Sequence, residues 1–369
     1  MGDERMRMVT ILCLGAAMVS AQTRKVTDAE VMRVHRSALL IDTHNDIATE
    51  EAGVDRVGTL NIGAKSPKAH TDLGRLREGG VGAVFFADWV AASYAGPANR
   101  AFNRAQQVID TIRYDIVERN PKDFVLATTA DEIEAAHKQG KIAALIGLEG
   151  GHAIQDSLDR LRELYARGVR YMTLTHTNTN NWADSSGDVN DAAIQHHNGL
   201  TAFGKDVVRE MNRLGMMVDI SHVADKTFWD ALEVSRAPLI ASHSNCRALA
   251  NVPRNMTDEM IVALAKKGGV IQVNFYCNYL STQKPPHATI GDVVAQIDHI
   301  RRIAGIDAIG IGSDFDGIEC APVGLEDVSK FPNLTRALLE KGYSAVDIRK
   351  IYGVNFLRVM RAVEKAAGK

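Results

Sequence analysis

The sequence has no surplus of charge of either sign. Its 43 lysine and arginine residues are balanced by 45 aspartate and glutamate residues, which leaves a net charge of −2 over 369 residues. This balance gives no support to nucleic-acid binding or to electrostatic attraction to a membrane surface. The rest of the composition, 46% hydrophobic and 24% charged, is that of a soluble globular protein long enough to bury a large core.

Cysteine is scarce as well, with four residues and neither a CxxC pair nor a Cys/His finger spacing. Metal binding through cysteine is therefore not expected. Cys13 lies in the N-terminal segment described next, so Cys246, Cys277 and Cys320 remain in the body of the chain. These three residues allow at most one disulfide, and three free thiols are equally compatible with their spacing.

The N-terminal segment contains an apolar run, VTILCLGAAMVSA, which ends in small residues around Ser20 and Ala21. Its length is typical of a secretory signal and too short to span a bilayer comfortably. We expect residues 1–21 to be a signal peptide and residues 22–369 to be an exported domain, periplasmic or secreted. Acidic residues offset the basic ones before the run, which keeps a retained N-terminal anchor as the alternative. The C-terminal AVEKAAGK offers no tail for a lipid anchor, so none is expected.

Eight short, β-rich apolar runs recur along the remaining chain. They are LLIDT (39–43), VGAVFFADWV (81–90), IAALIGLE (142–149), YMTLTH (171–176), MMVDISH (216–222), PLIASH (238–243), GVIQVNFY (269–276) and AIGIGSDF (308–315). Nearly continuous apolar runs are typical of parallel strands that are buried on both faces. Helical periodicity separates many of them, at 98–120, 156–168, 200–215 and 292–305. The alternation predicts an α/β fold, a single-domain (β/α)8 TIM-type barrel, with a doubly wound open sheet as the alternative.

Polar side chains stand where these predicted strands end. They are His44 and Asp46 after the first strand, Glu149 after the third, His176, His222 and His243 after the fourth to sixth, and Asp314 and Asp316 after the eighth. In a barrel these ends meet at one mouth, where active sites of this fold lie. Imidazoles and carboxylates without a thiolate suit zinc, and the set is too large for one tetrahedral ion. We expect one ion at His44 and Asp46 and another at His222 and His243, bridged by Glu149 and a shared hydroxide.

The motifs that carry these residues, taken in order, resemble the membrane (renal) dipeptidase family, binuclear zinc metallopeptidases on an amidohydrolase-type barrel. The similarity runs through IDTHND, DLGRLREGGVGAVFF, GLEGGH, TLTHTNTNNWAD, MMVDISH, ASHSNCRAL, NVPRN, VNFY, GSDFDG and GLEDVSKFPNLTRALLEKG. It implies that two Zn²⁺ ions per chain are bound by His44, Asp46, Glu149, His222 and His243. It also implies that His176 contacts the reacting carbonyl, Arg254 binds the substrate carboxylate and Asp314 handles the proton, with Asp316 left open for that last role. A homodimer is a further implication of the family.

The expected function is hydrolysis of the peptide bond of free dipeptides, with a D-residue at the C-terminal position as a variant to be tested. Two alternatives remain open at this point. The first is another binuclear amidohydrolase, acting on β-lactams or N-acyl amino acids, because the attack on an amide carbonyl is the same. The second is a non-catalytic protein that binds dipeptides or metal. Two polar stretches, 53–80 and 177–199, are long enough to be loops over the site.

Overall fold

The computed structural model describes residues 25–51, 54–96, 100–281 and 287–369. The predicted signal peptide, residues 1–21, lies outside these ranges. Within them, no helix has the length and the apolar composition needed to cross a membrane.

Eight parallel strands of the described chain form a nearly closed barrel, as the alternation of apolar runs predicts. They are β1 (Leu40–Asn45), β2 (Val81–Trp89), β3 (Ile142–Glu149), β4 (Val169–Thr173), β5 (Met217–Asp219), β6 (Ile240–Ser244), β7 (Val270–Val273) and β8 (Ile309–Ile311). Each strand pairs with the next in sequence order. The two ends of the sheet meet beyond β8, where the Asp46 amide donates to the Phe315 carbonyl at 2.9 Å. The TIM-type fold is therefore confirmed, and the open sheet is not.

The strands alternate with an outer layer of helices. The described residues contain α1 (Asp28–Arg36), α2 (Leu73–Glu78), α3 (Ala101–Asp110), α4 (Ala130–Lys138), α5 (Leu158–Ala166), α6 (Ala202–Leu214), α7 (Asp225–Val234), α8 (Asp258–Lys266), α9 (Cys277–Leu280), α10 (Ile290–Ala304), α11 (Phe331–Glu340), α12 (Ala345–Arg349) and α13 (Asn355–Ala366). The helix predicted over 98–120 begins as α3 and continues as a π-helix over Thr111–Glu118. The side chains of Thr129, Thr289 and Ser344 close capping boxes at α4, α10 and α12.

Three short strands were not predicted: Glu50–Glu51 and Val54–Asp55, which pair with each other in antiparallel fashion, and Phe124–Leu126. Phe124–Leu126 pairs in parallel with the start of β3, from Phe124 opposite Ile142 to Leu126 opposite Ala144. The neighbouring strand β4 joins β3 only from Ile146 onward. The Phe124–Leu126 strand therefore satisfies backbone groups at the start of β3 that β4 does not reach.

The barrel interior is apolar at the end opposite the strand carboxyl termini. Phe85 of β2 and Leu145 of β3 are fully buried there, together with residues of α13. The Phe356 ring of α13 packs edge-on against the Phe85 ring, with centroids 5.3 Å apart. This packing fills one end of the barrel, so the polar residues at the strand ends face the other mouth.

The cysteine pairing left open by the sequence is resolved by the fold. Cys277, at the start of α9, forms a disulfide with Cys320 in the segment after β8, while Cys246 is a free, buried thiol. The disulfide joins the loops that follow β7 and β8. Both loops contribute side chains to the cavity described below.

Candidate active site

The barrel brings the predicted ligand residues to one mouth. His44 lies in β1, Glu149 ends β3, and His243 lies in β6. His222 and Asp314 follow β5 and β8 and have left-handed backbone, with φ of 67° and 65°. A non-glycine residue holds this conformation at some cost, and such positions cluster at functional sites.

Glu149 is the centre of the cluster because its two oxygens face different partners. Oε2 lies 3.3 Å from Nε2 of His44, while Oε1 lies 3.1 Å from Nε2 of His222 and 3.3 Å from Nε2 of His243. Asp46 stands on the first side, with Oδ2 3.3 Å from the same His44 nitrogen. Burial alone would raise the pKa of Glu149, but the surrounding imidazoles of His44, His176, His222 and His243 hold that pKa well below its usual range. A carboxylate placed in this way can bridge two cations.

A hydrogen-bond chain fixes which nitrogen of His44 is free. The Tyr171 hydroxyl donates to the Thr43 carbonyl at 3.0 Å and therefore accepts from Nδ1 of His44 at 2.7 Å. Neutral His44 then presents a lone pair at Nε2. This nitrogen and Oδ2 of Asp46 are both buried, and neither has a hydrogen-bond partner. A lone pair that faces two carboxylate oxygens calls for a cation among them. Burial lowers the pKa of His44, yet Tyr171, Glu149 and Asp46 raise it well above its usual range. The surroundings of Nε2 therefore favour a positive charge at this position.

His243, which faces the other oxygen of Glu149, is oriented by a similar chain. Ser242 donates its hydroxyl hydrogen to Oδ2 of Asp219 at 2.6 Å and accepts from Nδ1 of His243 at 2.7 Å. Nε2 of His243 therefore also carries a lone pair, 2.9 Å from Nε2 of His222. Burial lowers the pKa of both imidazoles well below the ordinary value, so both are neutral and able to act as ligands. The donor set on both sides of Glu149 therefore fits metal ions.

His176 has the opposite tautomer. The Trp89 indole N–H can only donate, and it does so to Nδ1 of His176 at 3.2 Å. The hydrogen of neutral His176 is therefore on Nε2, which lies 4.0 Å from Oε1 of Glu149. Burial lowers the pKa of His176 and keeps the ring neutral at pH 7. This side chain can offer a neutral hydrogen-bond donor beside Glu149.

Asp314 and Asp316 occupy different environments although both belong to SDFDG. Oδ1 of Asp314 lies 3.9 Å from Nε2 of His44, and Oδ2 accepts from Nδ2 of Asn274 at 2.7 Å. Asp316 instead accepts from the His70 amide at 2.9 Å. Burial is the main reason that the pKa of Asp314 is raised to about 8. Of the two carboxyls, Asp314 is the one that lines the cavity with the ligand cluster and can hold a proton near neutral pH.

Arg254 lies between His243 and Tyr279. Nη2 donates to the His243 carbonyl at 2.7 Å and Nη1 to the Ser244 hydroxyl at 2.8 Å, while the guanidinium is 5.6 Å from the centre of the Tyr279 ring. Nε is buried and has no hydrogen-bond partner. These contacts fix the guanidinium and leave the Nε–H available to a further anionic group.

A cavity of about 240 Å³ opens over the cluster. Its wall contains Asp46, Thr49, Trp89, Glu149, His176, Thr177, His222, Tyr276, Tyr279, Asp314, Gly317 and Glu319. Thr177 comes from the predicted loop 177–199. Trp182 of the same loop is buried against Phe203, with ring centroids 6.3 Å apart, and acts as a loop anchor and not as a wall residue.

Sequence reasoning missed the residues that orient the ligands. Tyr171 reaches His44 across the barrel because Gly147, its partner in the strand register, has no side chain; a Cβ there would come within 2.0 Å of the Tyr171 ring. Ser242 and Trp89 were likewise not singled out, because their contacts depend on three-dimensional neighbours and not on spacing. Asp42 of β1 accepts from the Ser313 amide and hydroxyl and so holds the loop that carries Asp314.

Three solved structures share this architecture. The chain is 24% identical to the probable dipeptidase PvdM from Pseudomonas aeruginosa, with a TM-score of 0.80 over 92% of this chain and 99% of that one. It is 26% identical to a metallopeptidase from Rhodobacter sphaeroides solved with a phosphinate mimic of the dipeptide L-Ala-D-Ala, with a TM-score of 0.76 over 88% and 99% of the two chains. An amidohydrolase from Pseudomonas aeruginosa is also 26% identical, with a TM-score of 0.74 over 90% and 98%.

The family model for membrane dipeptidases, peptidase family M19, matches residues 28–369. That match covers nearly all of the chain, including every residue of the cluster around Glu149. The chain belongs to the membrane dipeptidase family, and it is a metallopeptidase of that family, a hydrolase acting on peptide bonds.

Proposed function

We propose that this protein is a zinc dipeptidase that binds two ions and hydrolyses the single peptide bond of free dipeptides. One observation carries the proposal: each oxygen of Glu149 faces its own imidazoles, Oε2 that of His44 and Oε1 those of His222 and His243. His44 and Asp46 would hold one ion, His222 and His243 the other, and Glu149 both. Imidazole and carboxylate ligands suit zinc. Two bound ions would supply an activated water and polarise the substrate carbonyl.

Neutral His176 can donate a hydrogen bond, and positive charge bound beside Asp314 would ionise its carboxyl and allow it to accept a proton. His176 donates from Nε2 to the carbonyl oxygen of the substrate, where negative charge develops. Asp314 accepts the proton of the attacking water at Oδ1 and passes it to the amine nitrogen that leaves. The hydrogen bond from Asn274 to Oδ2 keeps Oδ1 turned toward His44 during both transfers.

Arg254 selects short substrates. Its free Nε can bind the C-terminal carboxylate of a dipeptide, and a charged hydrogen bond of this type contributes about 1.5–3 kcal/mol. The cavity of about 240 Å³ is small, which also favours a substrate of two residues.

A hydrolysis panel tests the proposal. It contains L,L and L,D dipeptides, a β-lactam and N-acyl amino acids, each with and without chelator, alongside zinc content per chain. We expect dipeptides to be cleaved, cleavage to stop on chelation, and zinc to approach two per chain. The L,D pairs are included because the Rhodobacter sphaeroides metallopeptidase was solved with a mimic of L-Ala-D-Ala. Faster cleavage of β-lactams or N-acyl amino acids than of every dipeptide would instead favour the broader amidohydrolase function.

We also propose that the protein is exported. The apolar run before residue 22 and the Cys277–Cys320 disulfide both suit an oxidising compartment. The mass of protein recovered from a native-like host should correspond to a chain that begins near Gln22, and an intact Met1 in soluble cytoplasmic protein would contradict export. A homodimer stays a prediction from the family.

A further inference from the structure

Glu319 is the acidic residue in the cavity wall that none of the proposed steps uses. It follows β8, lines the catalytic cavity beside Asp314 and Gly317, and is exposed. Asp46 and Glu149 would be neutralised by bound ions, and Asp314 handles the proton. Glu319 therefore adds a negative charge to the cavity beyond what the ligands and the proton transfer require.

The Glu319 carboxylate has no ionic partner in the described part of the chain. No lysine, arginine or histidine there lies within 4.0 Å of its oxygens, although most buried or half-buried acids of this protein are paired in that way. Its position is nevertheless fixed. The next residue, Cys320, is bonded to Cys277, and the Cys277 amide also donates to the Cys320 carbonyl at 3.2 Å. The disulfide holds Glu319 beside Tyr276, which also lines the cavity.

Glu319 also lines a second, larger cavity of about 880 Å³, formed mainly by residues 55–71. The two cavities therefore share this side chain as a common wall. A dipeptide bound in the smaller cavity could therefore bring the end of a long side chain to Glu319. A short side chain would end before reaching it.

The order of strands round the barrel indicates which half of the substrate comes to Glu319. Arg254 is on the loop after β6, whereas Glu319 follows β8, with Tyr276 and Tyr279 of the segment after β7 between them. A dipeptide whose carboxylate is bound at Arg254 directs its amino-terminal residue toward Asp314 and Glu319. The α-ammonium, two bonds from the reacting carbonyl, stays deep beside Asp46 and Asp314, both of which are buried. Only a group several bonds longer reaches the exposed carboxylate at the rim.

We propose, on the basis of the function proposed above, that Glu319 is a specificity-determining residue that binds the cationic side chain of a lysine or arginine at the amino-terminal position of the dipeptide. An unpaired carboxylate in a substrate cavity favours a ligand that brings the missing positive charge and disfavours an acidic one.

The test compares three dipeptides that end in alanine, in whichever configuration the wild type cleaves faster. Their amino-terminal residues are lysine, norleucine and alanine, so that lysine and norleucine differ in charge at nearly equal length. We expect the wild type to prefer lysine over norleucine by about five- to tenfold in kcat/KM, and this preference to shrink at high salt. Glu319→Gln should abolish the preference for lysine. It should change kcat/KM for Ala-Ala by no more than about twofold, because the alanine side chain is too short to reach residue 319 and an exposed ion pair contributes little energy.

Glu233→Gln, at an exposed position of α7, is the matched control for the loss of one negative charge and should keep the lysine preference. Glu319→Lys should reverse the preference toward an amino-terminal glutamate. An equal fall for all three dipeptides in Glu319→Gln would assign Glu319 to the α-ammonium and overturn the proposal. A wild type that cleaves Ala-Ala without preferring lysine overturns this inference alone, whereas a wild type that cleaves no dipeptide overturns the proposed function and this inference with it.

Discussion

The phenolic oxygen of Tyr171 lies 2.7 Å from Nδ1 of His44, inside the barrel and below the ligand cluster. The same hydroxyl donates to the Thr43 carbonyl, so it can only accept from the imidazole. Tyr171 therefore holds His44 in the tautomer and the orientation that a metal ligand needs.

Removing that hydroxyl should weaken metal binding more than it weakens the fold. We expect Tyr171→Phe to lower the affinity for metal by about 10–100-fold, the usual effect of losing such a partner of a ligating histidine. Activity should recover at high zinc concentration, as measured by metal titration of chelated protein. Tyr352→Phe, which removes another buried hydroxyl, bonded to Thr335 at 2.8 Å, controls for the loss of a buried hydrogen bond. Equal metal affinity in Tyr171→Phe and wild type would contradict the orienting role.

Glu149→Gln should abolish activity and reduce metal content. A neutral amide offers one oxygen where the carboxylate offers two, so it cannot serve both sides of the cluster. Metal analysis and dipeptide hydrolysis on the purified variant check this. Near-normal turnover with two metals retained would rule out the bridging role.

Arg254→Ala should lower kcat/KM for dipeptides by about 10²–10³, a loss of about 3–4 kcal/mol, with zinc content unchanged. Amidating the C-terminus of the substrate should cost the wild type a comparable amount. When Arg254→Ala acts on the amidated substrate, the loss of activation free energy should be much smaller than the sum of the two separate losses, because both changes remove the same interaction.

Ser244→Ala is the control for that experiment, since it removes one neighbour of the guanidinium and leaves its free Nε in place. It should retain most of the discrimination between free and amidated dipeptides. If the wild type cleaves the amidated substrate as well as the free one, the carboxylate is not recognised and Arg254 has another role.

His152 should make the protein sensitive to mild acid. Burial lowers the pKa of His152 to about 4, and Nε2 is bonded to the Val90 carbonyl at 2.9 Å. The folded-state pKa is below the ordinary value of about 6.5, so the stability that neutral His152 contributes is present above pH 6.5 and is lost as the pH falls toward 4. For this group, the free energy of unfolding should fall by about 2 kcal/mol between pH 7 and pH 5.

Urea unfolding at pH 7 and pH 5 measures this effect as a difference between proteins. His152→Gln should lose about 2 kcal/mol less of its free energy of unfolding over that interval than the wild type. His287→Gln, at an exposed position, controls for removing a histidine. The same pH dependence in all three proteins would show that His152 is not the group responsible.

The sequence could predict the barrel and the position of the cluster because both depend on patterns along the chain. Buried parallel strands are continuous apolar runs, and residues such as His44 and Glu149 follow them directly. The partners of those residues could not be predicted in the same way. The hydrogen bond between Ser242 and His243 depends on the rotamers of the two side chains, and the Cys277–Cys320 disulfide depends on two loops being neighbours. Neither condition can be read from the spacing of residues along the chain.

Asp314 and Asp316 illustrate the same limit. They are two residues apart in one motif, and the sequence alone does not distinguish them. In the structure both have left-handed backbone, and their carboxylates accept from different partners, Asn274 and the His70 amide. Backbone conformation of this kind depends on the packing of the loop after β8, to which Asp42 contributes from another strand.

Gly147 is a position where substitution should disturb metal binding although the residue itself contributes no ligand. A methyl group at this position would overlap the Tyr171 ring, which would have to move away from His44. In genetic terms, Gly147→Ala would then be an allele that lowers metal affinity and leaves the catalytic residues unchanged. Zinc supplementation of the growth medium should suppress its phenotype partially, whereas it should leave a null allele such as Glu149→Gln unchanged.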